Sequence, residues 1–421
     1  MNVLRKIQFI VLLVILSQVS LLAQNNNDFF IDTTQHLNIS FGTHYTYGSS
    51  VMSNNFLNKF IFGGKIEREH KDNAYQNLSS NNRLGGDLNY NFNVEIPMDT
   101  FLGKTNISFQ VGMEIVEHMD AEFSSDLFKF TFDGNKQFAG ESIDIGKTNY
   151  NYYKYQQLNL GLIKYNYSDD KLFKEGVIFS IIMAQEHKAI TITEGSIFTE
   201  ELGREIDVDL NYLYNSSDTA NKGAGAYNGF GVSTDLFTEV LLKNGDKVYL
   251  GLEDLGFIYW NNNSLEIAAD STFYFEGIVV DNIFDLNDSL LSNISKDSII
   301  NSISTSNKKG NYSIALPTAI NLNYTKVLNE KWKINIGVYH KILSNYFPLI
   351  STNYYYYFNK KFVAKAHISY GGYGKWNTGL AFAKSVANYF DIFIGTNNIE
   401  AFIVPNSSYS SSGFIGLKAY F

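Results

Sequence analysis

Apolar and polar side chains alternate strictly over runs of about ten residues, again and again from residue 37 to residue 421. Residues 37–48 put Leu37, Ile39, Phe41, Tyr45 and Tyr47 on one face, and Asn38, Ser40, Gly42, His44 and Thr46 on the other. Residues 86–96 set Leu88, Tyr90, Phe92, Val94 and Ile96 against Asp87, Asn89, Asn91, Asn93 and Glu95. Residues 106–116 do the same, with Ile107, Phe109, Val111, Met113 and Ile115 opposite Ser108, Gln110, Gly112 and Glu114. A period of two is that of an extended strand, and about ten residues is the length that crosses a bilayer at a barrel's tilt. The signature recurs at 156–167, 177–189, 229–242, 247–259, 313–325, 331–343, 349–358, 361–370, 375–384, 389–396 and in the last ten residues. The count is about fourteen strands.

No stretch beyond the amino-terminus is apolar enough to span a bilayer as a helix. A membrane chain of this kind must therefore close its strands into a barrel, where every backbone group finds a partner. The expected fold is all-β, a transmembrane antiparallel up-and-down barrel over residues 37–421. Phe and Tyr number 33 and 29, as interfacial girdles require, and only 4 Pro are present, as laddered sheet requires. Residues 1–23 read as a secretory signal peptide: Arg5 and Lys6, an apolar run from Ile7 to Leu16, and a small residue at Ala23. Residues 24–36 then form an amino-terminal periplasmic segment. No Cys is present, which excludes a lipoprotein anchor and structural disulfides. The net charge of −9 argues against nucleic acid as a partner.

Connection lengths supply an independent check, because such barrels alternate short periplasmic turns with long outer loops. With both termini periplasmic, the inner turns fall at 97–104, 168–176, 243–246, 326–330, 359–360 and 385–388, and all are short. The long outer loops are 49–85, 117–155, 190–228 and 260–312. This parity needs 191–197 and 205–214 to form a hairpin above the membrane; as two spanning strands they would raise the count to about sixteen. Residues 281–303 are Ser- and Asn-rich, and read as a loop in preference to a short amphipathic helix.

The last ten residues resemble the closing strand of Gram-negative outer-membrane barrels. Phe421 ends the chain, with Ala419 and Leu417 two and four residues before it and Gly416 five before. The resemblance implies that these four form the membrane-insertion signal, read by the outer-membrane barrel assembly machinery. Two further blocks, Gly229-Phe-Gly-Val-Ser-Thr-Asp-Leu236 and Leu252-Glu-Asp-Leu-Gly-Phe-Ile-Tyr-Trp260, carry a family likeness. With Phe275-Glu-Gly277, Leu316-Pro317 and Gly395-Thr-Asn-Asn398, they resemble an uncharacterised outer-membrane β-barrel family filed as a domain of unknown function. That family is loosely similar to the long-chain fatty-acid transporter type of barrel. The Asn-Pro-Ala of those transporters is missing near the amino-terminus, so their substrate does not carry over.

The inward faces are where chemistry is expected. Lys331, Lys333, Lys341, Lys361, Lys365, His367 and Lys375 come from the carboxy-terminal strands; Asp87, Glu95 and Glu114 come from the amino-terminal ones. They form either opposed charged walls or paired networks that fill the lumen. Asp207, Asp209 and Asn211 with Glu200, Glu201 and Glu205 make a solvated acidic loop sooner than a cation site. His118 with Glu117 and Asp120 is the one cluster that suggests catalysis, and such a triplet arises easily at a strand end. The expectation is a non-enzymatic, monomeric barrel in the outer membrane of a Gram-negative bacterium, in contact with the lipid bilayer and without cofactor or metal. It passes a small solute, a hydrophobic one included, or else displays its outer loops for partner binding, surface assembly or secretion.

Overall fold

A computed structural model describes residues 29–30, 37–168, 171–202, 205–275, 308–387 and 389–421. The signal peptide and the segment 281–303 lie outside the described residues. The strands are β1 (Asn38–Ser49), β2 (Asn82–Met98), β3 (Ile107–Phe123), β4 (Ser142–Asp144), β5 (Thr148–Ser168), β6 (Lys171–Thr199) and β7 (Ile206–Ser216). There follow β8 (Gly229–Leu241), β9 (Lys247–Trp260), β10 (Leu265–Phe275), β11 (Lys308–Lys309), β12 (Tyr312–Ala315) and β13 (Ala319–Val327). The last six are β14 (Trp332–Lys341), β15 (Phe347–Asn359), β16 (Phe362–Gly372), β17 (Trp376–Val386), β18 (Phe390–Thr396) and β19 (Ser410–Tyr420).

Fourteen of these close a ring of antiparallel neighbours, β1-β2-β3-β5-β6-β8-β9-β13-β14-β15-β16-β17-β18-β19 and back to β1. The closing seam pairs Asn38 with Tyr420 through Gly48 with Ser410, and the Phe421 N–H donates to the Leu37 carbonyl at 2.9 Å. Full closure leaves the ring itself without an open edge. The residues read as apolar-out are exposed on the outer wall, among them Phe92, Met113, Leu158, Phe179, Leu250, Leu322, Ile336, Ile350, Ile368, Phe382 and Ile394. A continuous exposed apolar belt of this extent is foreign to a water-soluble surface.

The sixteen-strand alternative fails. Residues 188–199 of β6 pair with β7 above the ring, and β7 pairs in turn with β10, so these strands build an outer sheet. Several strands also run past the expected loop boundaries, β3 to Phe123, β5 from Thr148 and β6 to Thr199. The expected turn at 168–176 is shorter, because β5 and β6 stay paired down to Ser168 and Lys171. Pro317 splits the expected strand 313–325 into β12 and β13, since it has no N–H for the ladder.

Sequence reading left the loop 49–85 unstructured, yet it holds two helices, Asn54–Phe62 and Arg68–Asn77, and the loop after β3 holds a third, Ser125–Asp133. Ser124 caps the third, its hydroxyl accepting from the Leu127 N–H at 3.1 Å. Phe56, Leu57, Ala74 and Phe128 bury against one another and against Leu84, so the helices form a small apolar cap on the upper barrel. Asp133 ties this cap together: it accepts from the Tyr75 hydroxyl and pairs with Lys71 at 3.1 Å. Burial pushes the Asp133 carboxyl up, but the Tyr75 and Lys71 hydrogen bonds outweigh it and hold the group below the usual carboxylate range. The stabilisation is complete above the unfolded-state pKa of about 3.9 and is lost as pH falls through the lower folded value. Hydrogen exchange of helix Arg68–Asn77, corrected for intrinsic rate, is therefore expected to quicken below about pH 4. Asp133→Asn should remove that pH dependence at a cost of about 1 kcal/mol or less at neutral pH.

Candidate functional site: an acid-walled lumen closed at both ends

The polar faces of the strands surround an internal cavity of about 150 Å³, lined by groups that include His44, Asn89, Asn91, Glu114, Asn321 and Asn323. One wall is acidic. Between β8 and β9 the register slips, Thr234 opposing Leu255 while Leu236 opposes Leu252, so Glu253 and Asp254 together face the single residue Asp235. This is a β-bulge, and Asp254 takes a left-handed backbone at φ 57 to accommodate it. A bulge turns two successive side chains to one face, and here both carboxylates line the cavity. The Asp254 N–H donates to Asp235 Oδ1 at 2.7 Å. Glu253 accepts from the Asn321 amide at 3.4 Å, and Glu114 accepts from Gln157 at 3.0 Å. Among the described residues none of these four carboxylates makes an ion pair, and no group of metal-ligating side chains suited to hold an ion is found.

Above the cavity the lumen is closed. Asp87 on β2 reaches across to Lys341 on β14, Oδ1 to Nζ 2.5 Å, and its Oδ1 also lies 2.6 Å from His118 Nδ1. His118 Nε2 meets Asp120 Oδ2 at 2.8 Å, and a ring that donates from both nitrogens satisfies both carboxylates. Asp120 in turn accepts from the backbone and side-chain amides of Asn345, at 3.1 and 2.5 Å. The connection between β14 and β15 is thus drawn inward, and Tyr346 packs edge-on against Tyr373 with ring centroids 4.9 Å apart. Tyr373 lies flat on Gly85, where even a Cβ would meet its ring at 2.2 Å. The glycine is what lets this lid seat.

At the end of the barrel that carries the short turns, Phe29 enters the barrel and packs on Phe393 and Tyr355, at 5.7 and 5.9 Å between centroids. The Tyr357 hydroxyl donates to the Phe29 carbonyl at 2.8 Å. Lys365, only 2% exposed, sits 5.6 Å from the Phe29 ring and 4.9 Å from that of Phe414, a cation–π arrangement.

The structure distributes the other residues singled out from sequence as follows. Glu95 is held at the lower end by Tyr165 at 2.5 Å and Lys174 at 3.7 Å. His367 lies between Asn353 at 2.7 Å and Ser369 at 3.0 Å. Lys333 covers the Tyr357 ring at 4.7 Å. Lys331 and Lys361 fall in short, exposed turns, away from the lumen. Lys375 stands at the outer rim, bonded to Asn77 at 2.7 Å. Asp209 accepts from Thr272 in the outer sheet at 3.3 Å. The His118, Glu117 and Asp120 triplet is divided by the wall: Glu117 points outward to Lys154 and Tyr152, at 2.9 Å each, while His118 and Asp120 point inward. Alternation along a strand forbids neighbours from sharing a face, so no three-residue site exists there.

Asp235, Glu253 and Asp254 escaped the sequence search for lumen charges, although they stand inside the two blocks that carry the family likeness. Their signal was present as a change of phase. Apolar positions 248, 250 and 252 give way to 255, 257 and 259, which is what one inserted residue produces.

Among solved structures the chain is similar to a mutant of the monoaromatic hydrocarbon channel TodX (8% identity, 96% of each chain covered, TM-score 0.45) and to the P. putida toluene transporter TodX (8%, 96% of each chain, 0.43). It is also similar to the Ralstonia pickettii toluene transporter TbuX (7% identity, 92% of this chain and 90% of that one, 0.42). No curated protein matches the sequence. Residues 26–397 match a family described as Family of unknown function (DUF5723). That match takes in β1 to β18, the acidic bulge and the lid, and the chain belongs to the DUF5723 family of unknown function.

Proposed function

We propose that this protein is an outer-membrane barrel that admits a small polar solute of positive charge through a gated lumen. The observation that carries the reading is the carboxylate wall of Glu114, Asp235, Glu253 and Asp254 on a cavity between two closures. Among the described residues these four acids have no salt-bridge partner, and carboxylates that line a narrow passage favour positive counter-charge over negative. A polar, acidic cavity suits a hydrophobic solute poorly. The experiment is reconstitution in planar bilayers under a salt gradient, where the reversal potential should show cation preference and an anion-preferring or ideally neutral pore would refute the reading.

Membrane embedding has its own test. Ile336 stands in the middle of β14 on the outer wall and is half exposed. Ile336→Lys is expected to cost about 2–4 kcal/mol of folding free energy in lipid. A change near zero in vesicle unfolding titrations would contradict a lipid-facing belt.

The lid and the outer sheet support a second reading, a non-transporting barrel that displays its cap and loops to a partner. A pore that stays silent even after its lid is opened would favour that reading.

A further inference from the structure

On the outside of the barrel, helix Asn54–Phe62 overhangs a groove of about 840 Å³. The helix begins after Ser53, whose backbone is extended, and stops at Gly63, whose φ of 87 suits a residue without Cβ. Its Phe56 and Leu57 are spent on the helical cap, buried against Phe128 and Leu84. Ile61 and Phe62 are left over: Phe62 is 74% exposed and meets Tyr47 edge-on, 6.4 Å between centroids. The helix is fixed in that pose by the Tyr47 hydroxyl, which donates to Asn58 Oδ1 at 2.6 Å. The groove floor is Tyr45, Leu88 and Met119, with Glu117 at one side, its carboxylate held by Tyr152 and Lys154. These belong to the outward faces of β1, β2 and β3, the same faces that carry Phe92 and Met113 in the apolar belt below. The groove is therefore the upward continuation of the surface that meets lipid, roofed by an apolar helix tip, with Lys59 at its edge.

We propose that this groove holds an acyl chain of an outer-leaflet lipid, clasped between helix Asn54–Phe62 and β1–β3. The inference rests on the membrane reading above. An apolar tip beside a bilayer is covered most readily by the chains next to it.

The full-length protein carrying Phe62→Trp is reconstituted in phosphatidylcholine vesicles with and without bromine on the acyl chains. Bromine quenches an indole only at near contact. The emission added by Phe62→Trp should be lost in brominated vesicles and be little affected by aqueous iodide. Loss to iodide with no loss to bromine would place the tip in water, and loss to neither would place it under protein; each overturns the proposal. Ile61→Trp gives the same readout should the first variant fail to assemble. The outward-facing Trp332 and Trp376 separate the two claims, since both are exposed on the barrel wall. Bromine quenching of these native residues without quenching at position 62 would end the lipid clasp and leave the membrane reading intact.

Discussion

Replacing Lys341 with Met is expected to cost about 3–5 kcal/mol of folding free energy and to open the outer end of the lumen. Lys341 Nζ lies 2.5 Å from Asp87 Oδ1, and both side chains are nearly buried, 14% and 6% exposed. Removing the cation leaves a buried carboxylate whose remaining partner, the His118 ring, is shared with a second buried carboxylate, Asp120. Breaking a buried pair from one side is costly because the survivor keeps its desolvation penalty. The same network holds Asn345, and through it the Tyr346 and Tyr373 lid, so its loss should raise the frequency of open events in single-channel records. The double replacement Lys341→Met with Asp87→Asn should recover most of the stability, since no lone charge remains. A Lys341→Met barrel as stable and as closed as the unmodified protein would mean that the clamp bears neither load.

The second large effect concerns selectivity. Neutralising the bulge with Asp235→Asn, Glu253→Gln and Asp254→Asn should abolish most of the cation preference while leaving the barrel assembled. The three acids share one end of the cavity, and the amide forms keep their shape and hydrogen-bonding atoms. Replacing the carboxylates also relieves mutual repulsion among like charges, so stability should hold or rise. The reversal potential under a tenfold salt gradient, about 59 mV per decade for ideal selectivity, should move toward zero. Unchanged selectivity would show that the ions take a path that avoids this wall.

Legibility from the sequence differed by type of feature. The barrel was legible because an outer-membrane wall has one hydrophobic face in contact with lipid and one polar face inside, which imposes a period of two on every spanning strand. β14 states this openly, with Trp332, Ile334, Ile336 and Val338 outward against Lys333, Asn335, Gly337, Tyr339 and Lys341 inward. Which inward charges matter was less legible. Lys365 and Lys341 both face inward, yet one covers aromatic rings and the other spans the lumen to Asp87. Those partners lie many strands away in sequence.

The helical cap was hidden for another reason. In Asn54–Phe62 the residues Phe56, Leu57, Phe60 and Ile61 do share one helical face, but nine residues fall short of the window in which a helical period declares itself, and Arg68–Asn77 buries only Ala74.

The sequence alone thus determined the all-β class and the approximate positions of the spanning strands, because those follow from local alternation. The expected count of fourteen, with 191–214 above the ring, is borne out over the alternative of sixteen, while tertiary structure alone decided the pairing of β10 with β7, the lid drawn down by Asp120 and Asn345, and the acidic wall gathered at the bulge. Each depends on pairing between residues far apart in the chain, whose energies appear only once the ring has closed.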